Sequence, residues 1–196
     1  MSQVRERILD VASDLFYRHG IQAVGIDAII READVARMSF YRHFHSKEGL
    51  VVACVERRDV AVRDWFEKRV KRLAPNPKDR PLALFDALAL RFAAENYRGC
   101  GFINTMAEMP DRRGAVHRTA ARHKMQFEEY LSGLLRDAAL PEELASDLLL
   151  LFDGAVVEAT REGSSSPARR ARRIAAVLLG LPETRSTRRR SQVAAS

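Results

Sequence analysis

The sequence predicts an all-α chain of about nine helices, and three observations carry that expectation. Apolar residues recur at helical spacing through nearly every segment, and none shows sustained strand alternation. Glycines and prolines fall where such helices would begin or end, at Gly20, Pro75, Pro81, Gly99, Pro110, Pro141 and Gly180. The segment from Ile26 to Phe44 reads as two short helices around a tight turn, so a small N-terminal three-helix unit precedes a larger helical domain.

Ile8, Ala12, Leu15 and Phe16 form the stripe of the first helix, which Gly20 closes as a C-cap. In the second helix Ile26, Ile29, Ile30 and Ala33 share a face, and Asp27 puts negative charge in the first turn, where the helix dipole favours it. Asp34-Val35-Ala36 breaks the pattern. Asp tolerates a left-handed backbone better than most residues, and Val35 can plug the angle between two helices, so this turn needs no glycine. Phe40 and Phe44 lie on one face of the third helix, leaving Arg37, Met38, Ser39, Tyr41, Arg42 and His43 to point outward. Ser46 then caps a fourth helix whose apolar positions run through Leu50, Val55, Trp65, Phe66 and Val70 until Pro75-Asn76-Pro77 stops it. Further helices are expected from Pro81 to Gly99, over 102–109, over 115–138, from Pro141 to 163 and from Pro167 to Gly180.

The outward residues of the third helix are groove and phosphate types. Arg can fork onto guanine or phosphate, Ser and Tyr hydroxyls bond phosphate oxygens, and an exposed Met can meet a thymine methyl. The start of the fourth helix adds backbone N–H groups and Lys47, converging on one anion. At this point the segment resembles the TetR family of bacterial transcriptional regulators. Arg7-Ile8-Leu9-Asp10-Val11-Ala12 and Leu15-Phe16-Tyr17-Arg18-His19-Gly20-Ile21 are similar to the family's first helix and its closing glycine. Phe40-Tyr41-Arg42-His43-Phe44-His45-Ser46-Lys47-Glu48-Gly49-Leu50 looks like its recognition helix running into helix four. The resemblance implies a helix-turn-helix domain at residues 1–48, with the motif at 25–44. It implies contacts to a palindromic double-stranded operator through Gly25, Arg37, Met38, Ser39, Tyr41, Arg42, His43 and Lys47. The chain departs from the family pattern at Asp34, where glycine is usual, and at Gly25, where a hydroxyl residue is frequent. A glycine cap costs only on the order of a few tenths of a kcal/mol, but it leaves residue 25 nothing except its backbone N–H for a phosphate.

The net charge of +7 does not support DNA binding by itself, because of where it lies. Residues 1–50 hold seven Lys/Arg against seven Asp/Glu, whereas residues 164–196 hold eight Arg against one Glu. Only charges near the duplex release counterions, so the placement of Arg37, Arg42 and Lys47 matters more than the overall balance. Two cysteines, Cys54 and Cys100, suggest neither a disulfide framework nor a zinc site, which points to the reducing cytoplasm. No apolar run approaches the roughly 20 residues of a membrane helix, and none follows the charged N-terminus, so neither a span nor a signal peptide is expected.

The last two helices are predicted to differ from the rest in charge and bulk. Residues 141–163 carry six acidic side chains against Arg161, while the next helix carries Arg169, Arg170, Arg172 and Arg173. With Ala155, Ala159, Ala171, Ala175 and Ala176 permitting close approach, such a pair suits a two-fold interface, although it could simply pack within one chain. The resemblance implies a homodimer through residues 141–180, and a ligand-binding and dimerisation domain over 49–181. Residues 182–196, rich in Arg, Ser and Thr, read as a disordered basic tail.

The input signal is fainter. The segment Gly99-Cys100-Gly101-Phe102-Ile103-Asn104-Thr105-Met106-Ala107-Glu108 resembles the region around helix six in one TetR subgroup. Asn104 and Glu108 lie four apart, so a polar pair could project into a cavity walled by Trp65, Phe92, Cys100, Phe102, His123, Phe127 and Phe152. At helical spacing such aromatics are more often plain core. Cys100 could sense electrophiles or simply pack, and Glu108 with His123 could hold an ion only from two helices, so no metal or cofactor is expected. The expected function is a DNA-binding regulator, a homodimeric repressor released by a small-molecule effector. The alternative is a helical enzyme or small-molecule-binding protein with a vestigial helix-turn-helix, for which no phosphate loop, nucleophile triad or metal motif speaks.

Overall fold

Nine α-helices and no strand make up the described residues of the computed structural model, which are residues 2–182. They are α1 (Gln3–His19), α2 (Ile26–Glu32), α3 (Arg37–Phe44), α4 (Lys47–Leu73), α5 (Arg80–Phe92), α6 (Gly101–Glu108), α7 (Ala115–Asp137), α8 (Ala145–Glu162) and α9 (Ser166–Leu178), with single 3₁₀ turns before α5 and α8. The basic tail expected at 182–196 lies, from residue 183 onward, outside the described residues.

The local signals act as expected at most ends. Gly20 closes α1 at φ 88°, its N–H donating to Phe16 O at 3.0 Å. Asp34 turns the chain at φ 48° without glycine, and its carbonyl accepts from Arg7 Nη2 at 2.8 Å, so α1 clamps the turn. Ser46 caps α4, its hydroxyl accepting from Gly49 N at 3.0 Å.

One boundary differs. The helix expected to run from Pro81 to Gly99 ends at Phe92, because Tyr97 folds back instead of continuing the spiral. Its N–H bonds Ala94 O at 3.0 Å, its ring tilts against Phe92 with centroids 5.0 Å apart, and its hydroxyl donates to Val156 O of α8 at 3.3 Å. Burying that ring and bonding its hydroxyl outweighs one more turn of helix.

Helix α4, roughly 40 Å long at 1.5 Å per residue, threads two apolar cores. The first joins Ile8, Ala12, Phe16, Ile29, Phe40 and Phe44 to Leu50, Val51 and Val55 of α4, and extends to Phe102, Val116 and Ala120 of α6 and α7. The second packs Phe66 and Val70 of α4 against Leu84, Phe85, Leu88, Phe127, Leu131, Leu148 and Phe152. Val62 and Cys100 touch both, so the cores are continuous through the middle of the molecule.

The small residues of the last two helices are used inside the protomer. Ala155, Ala159, Ala168, Ala171, Ala175 and Ala176 are all buried in the second core, where they let α9 approach α8 and α5 closely. The opposite charges also meet within the chain, with Arg170 Nη2 2.7 Å from Glu162 Oε1. Smallness and charge therefore describe an intrachain contact. What faces outward is another set, Leu150, Val157, Ile174, Val177 and Leu178, all exposed.

Candidate nucleic-acid interface and effector cavity

The outward row of α3 is held by the two phenylalanines behind it. Phe40 and Phe44 are buried with ring centroids 6.0 Å apart, fixing the rotation of an eight-residue helix that could not persist alone. Arg37, Met38, Tyr41 and Arg42 are consequently exposed, Met38 to 75%, while Ser39 and His43 are half-buried at the edges. Tyr41 stands edge-on to Phe40 at 5.3 Å, and Arg37 pairs with Asp27 of α2. Both charges of that pair are well exposed, so it contributes little and can be exchanged for a phosphate or base.

Lys47 lies at the first position of α4, beside the free N–H groups of its first turn. A Cβ on Gly49 would stand 2.6 Å from the Phe44 carbonyl oxygen, so glycine permits the close approach of α3 to α4. Gly25 is the N-cap of α2, with extended backbone and no side-chain cap. Nothing lies within 4 Å of a Cβ built there, so the missing hydroxyl is a sequence choice rather than a steric one.

In the larger domain the structure brings together Phe92, Cys100, Phe102, His123, Phe127 and Phe152 around a cavity of about 50 Å³. That is far below the roughly 300 Å³ or more of a typical small-molecule site, so the cavity as it stands is too small for such a guest. Trp65 lies outside it, lining an adjoining groove with its ring edge-on to Phe66 at 4.9 Å. Asn104 and Glu108 do not project into the aromatic cavity. They line a separate cleft between α1, α4 and α6, because α6 turns its Phe102 and Thr105 inward and its polar face toward α1. Asn104 Nδ2 donates to Arg98 O at 3.0 Å, and Glu108 Oε2 accepts from Gln22 N at 2.9 Å.

Glu108 and His123 are likewise occupied with different partners. His123 is 4% exposed, stacks on Phe102 with centroids 3.4 Å apart, and holds Asp59 Oδ1 2.5 Å from its Nδ1. Asp59 also receives two hydrogen bonds from Arg63, at 2.9 and 2.6 Å. Burial works to raise the Asp59 carboxyl, yet the hydrogen bonds from Arg63 and His123 outweigh it and hold the group below its ordinary value. Burial lowers His123 to about 4, its bond to Asp59 acting in the opposite direction. A neutral ring donating Nδ1–H to an ionised Asp59 satisfies both groups. Among the described residues no group of three or more His, Cys, Asp or Glu side chains could hold a metal ion.

This buried ring makes stability depend on pH in a stated direction. The unfolded ring titrates at 6.5 and the native ring at about 4, with Asp59, Arg63 and Lys124 as the charged groups facing it. Between those values the unfolded chain binds a proton that the native chain refuses, so stability is full above pH 6.5 and falls as the pH drops through the window. From pH 7 to pH 5 the expected loss is about 2 kcal/mol in urea unfolding. His123→Phe, which keeps a ring against Phe102, should flatten that slope; an unchanged slope would place the titrating group elsewhere.

The sequence pattern did not single out several residues that shape these sites. Arg58 follows Val51 and Val55 and precedes Val62 on the apolar stripe of α4, and Arg91 follows Leu88 by three on that of α5. A cation inside an apolar stripe is the signal that could have found both. Tyr17 is the third. Its hydroxyl accepts from Arg98 N at 2.8 Å and donates to Gly99 O at 3.3 Å, tying α1 to the segment that leads into α6.

Two family models match the chain, "Bacterial regulatory proteins, tetR family" over residues 8–54 and "Tetracyclin repressor-like, C-terminal domain" over residues 77–175. The transcriptional repressor NemR of Escherichia coli is 29% identical over 108 residues, a match spanning 55% of this chain and 54% of NemR, about half its length. The transcriptional repressor ComR of Escherichia coli is 27% identical over 174 residues, covering 82% of this chain and 81% of ComR. Among solved structures, SCO4454, a TetR-family regulator from Streptomyces coelicolor, superposes with a TM-score of 0.82 at 28% identity over 91% of this chain and 89% of the other. Reduced Escherichia coli NemR gives 0.83 at 23% identity over 93% and 100%, a likeness of fold.

Proposed function

This chain belongs to the TetR family of bacterial regulatory proteins, and from that premise we propose that it is a homodimeric transcriptional repressor that grips a palindromic operator and releases it when a small molecule binds. Residues 1–48 form the DNA-reading unit in this reading, and 49–181 the effector and dimer unit. The observation that carries it is the row Arg37, Met38, Tyr41 and Arg42, exposed on a face that Phe40 and Phe44 hold fixed, with half-buried Lys47 following at the start of α4. An enzyme would have no use for that row. Enrichment of bound duplexes from a random pool tests it: a palindrome with half-sites one helical turn apart, about 34 Å or a multiple, is expected. Recovery of no common sequence would remove the reading.

The dimer is proposed to form through the exposed apolar side chains of α8 and α9, with Leu150 at 74% and Val177 at 78% exposure among them. Glutamate at both positions should give monomers in sedimentation velocity and weaken operator binding, since each half-site would then be bound alone. A doubly substituted chain that stayed dimeric would move the interface elsewhere. Deleting residues 141–180 is a poor test, because Ala168, Ala171 and Ala175 belong to the core.

Effector release requires that the cavity reach α3. Support comes from two ties across the junction, Tyr17 to Arg98 and Gly99, and Gln22 to Glu108. They join both ends of α6 to α1 and the turn after it. A ligand that widens the small cavity moves α6, and α1 with its clamped turn follows, shifting the population toward a spacing of recognition helices that no longer fits two major grooves.

A further inference from the structure

We propose that the effector is an organic carboxylate with an apolar body, its carboxylate held between Arg58 and Arg91 and its body entering the aromatic cavity; this rests on the reading of a ligand-responsive regulator. Three neighbouring cations are neutralised, Arg57 lying 2.7 Å from Asp10, Arg63 2.6 Å from Asp59 and Lys124 2.5 Å from Asp153, while Arg69, 5.5 Å from the Trp65 centroid, lines neither the groove nor the cavity. Arg58 and Arg91 are different, because among the described residues neither makes a hydrogen bond or an ion pair.

Both guanidiniums rest on aromatic faces instead. The Arg58 carbon lies 4.2 Å from the centroid of Tyr17 and the Arg91 carbon 6.0 Å from that of Trp65. Burial lowers the Arg58 pKa, and the charge of Arg91 adds to that strain. Two cations facing one groove without a counter-ion repel each other, and an anion bridging them relieves both costs.

The shape of the space says what kind of anion. Arg58 and Arg91 both line an open groove of about 360 Å³ with Val62, Trp65 and Phe66. The same two arginines, with Val62 and Phe66, also line the inner cavity of about 50 Å³. The groove therefore leads past paired cations into an apolar chamber. Guanidinium forks match a carboxylate two oxygens at a time, and the chamber beyond is walled mainly by rings and aliphatic groups, its polar members Lys124 and Tyr97 being engaged by Asp153 and the Val156 carbonyl and His123 by Asp59. A carboxylate head with an aliphatic or aryl tail fits this order of chemistry.

The position of Arg58 links occupancy to DNA. A Cβ on Gly101 would stand 2.9 Å from Arg58 Nη1, so Arg58 is wedged between Tyr17 of α1 and the first turn of α6. A carboxylate that draws Arg58 toward Arg91 pulls it from Tyr17 and loosens the junction that positions α1.

Trp65 is the chain's single tryptophan and lines the groove, so its fluorescence reports binding directly. Full-length protein is titrated with octanoate and 3-phenylpropanoate, and in parallel with octanol and 3-phenylpropanol, using the parent chain and its Arg91→Gln and Arg58→Lys variants. Each carboxylate is expected to bind at least about tenfold more tightly than its alcohol, and Arg91→Gln to erase that preference without changing alcohol binding. Arg58→Lys keeps a charge but loses the fork, and should fall between. Equal binding of acid and alcohol, preference retained in both variants, or no carboxylate binding at millimolar concentration would each overturn the proposal. Operator binding is measured on the same samples. Release by the alcohols alone would remove the anion site and leave the regulator standing, whereas carboxylate binding through these arginines with no selectable operator would keep the site and remove the regulator.

Discussion

Alanine at both Tyr41 and Lys47 is expected to weaken operator binding a few hundred-fold while leaving the fold intact. Hydrogen bonds to charged groups contribute on the order of 1.5 to 3 kcal/mol, and a conservative 1.5 to 2 kcal/mol per protomer doubles to about 3 to 4 kcal/mol across a dimer. Neither side chain belongs to a core: Tyr41 is exposed beyond Phe40, and Lys47 sits on the first turn of α4. Salt dependence separates lost contacts from lost structure. Removing one lysine from each protomer should make the slope of log K against log salt shallower by about 2, because each phosphate contact contributes about 0.9. Tyr41→Phe with Lys47 retained should weaken binding without altering that slope. An unchanged slope in the double variant would mean that Lys47 does not reach a phosphate.

How much of this was legible depended on whether a residue acts through sequence neighbours or through space. Phe40 and Phe44 lie one helical turn apart, so the outward face of α3 follows from spacing alone. Asp34 and Ser46 were legible for the same reason, since each acts within a few residues of itself. The end of the Pro81 helix is not legible locally, because Tyr97 ends it through contacts with Phe92 and Val156, and the latter is 59 residues away. The pairing of α8 with α9 was read from small residues and opposite charge, which cannot say whether the partner helix is in the same chain. The same limit applies to Asn104 and Glu108. Their spacing put them on one face correctly, but only packing decides that this face meets α1 while Phe102 meets the cavity. Periodicity gives a residue its face; the identity of the opposing helix is a long-range property.

The small size of the cavity leads to the second large effect, at Phe127. Its ring is 1% exposed, with centroids 4.9 Å from Phe152, 5.5 Å from Phe66, 5.7 Å from Tyr130 and 5.9 Å from His123. It is the hub of the aromatic cluster, touching helices α4 and α8 from α7. Phe127→Ala removes transfer energy and leaves a void that the surrounding rings cannot fill, at a cost of about 3 to 5 kcal/mol. For a chain of this length each kcal/mol lowers the melting temperature by about 2 to 4 °C, so a drop of about 10 °C is expected by calorimetry. The void would open into the existing space of about 50 Å³, and an enlarged apolar cavity stays dry and accepts apolar guests. Benzene should therefore raise the melting temperature of Phe127→Ala and leave the parent unchanged. Because Phe127 belongs to the second core, to which α1 to α3 contribute no residue, operator affinity well below the transition should persist. Persistence together with benzene-driven release would tie expansion of this cavity to DNA binding without invoking any natural ligand. A stability loss below about 1 kcal/mol with no benzene response would mean that the rings close over the gap, and that the cavity is not poised to open.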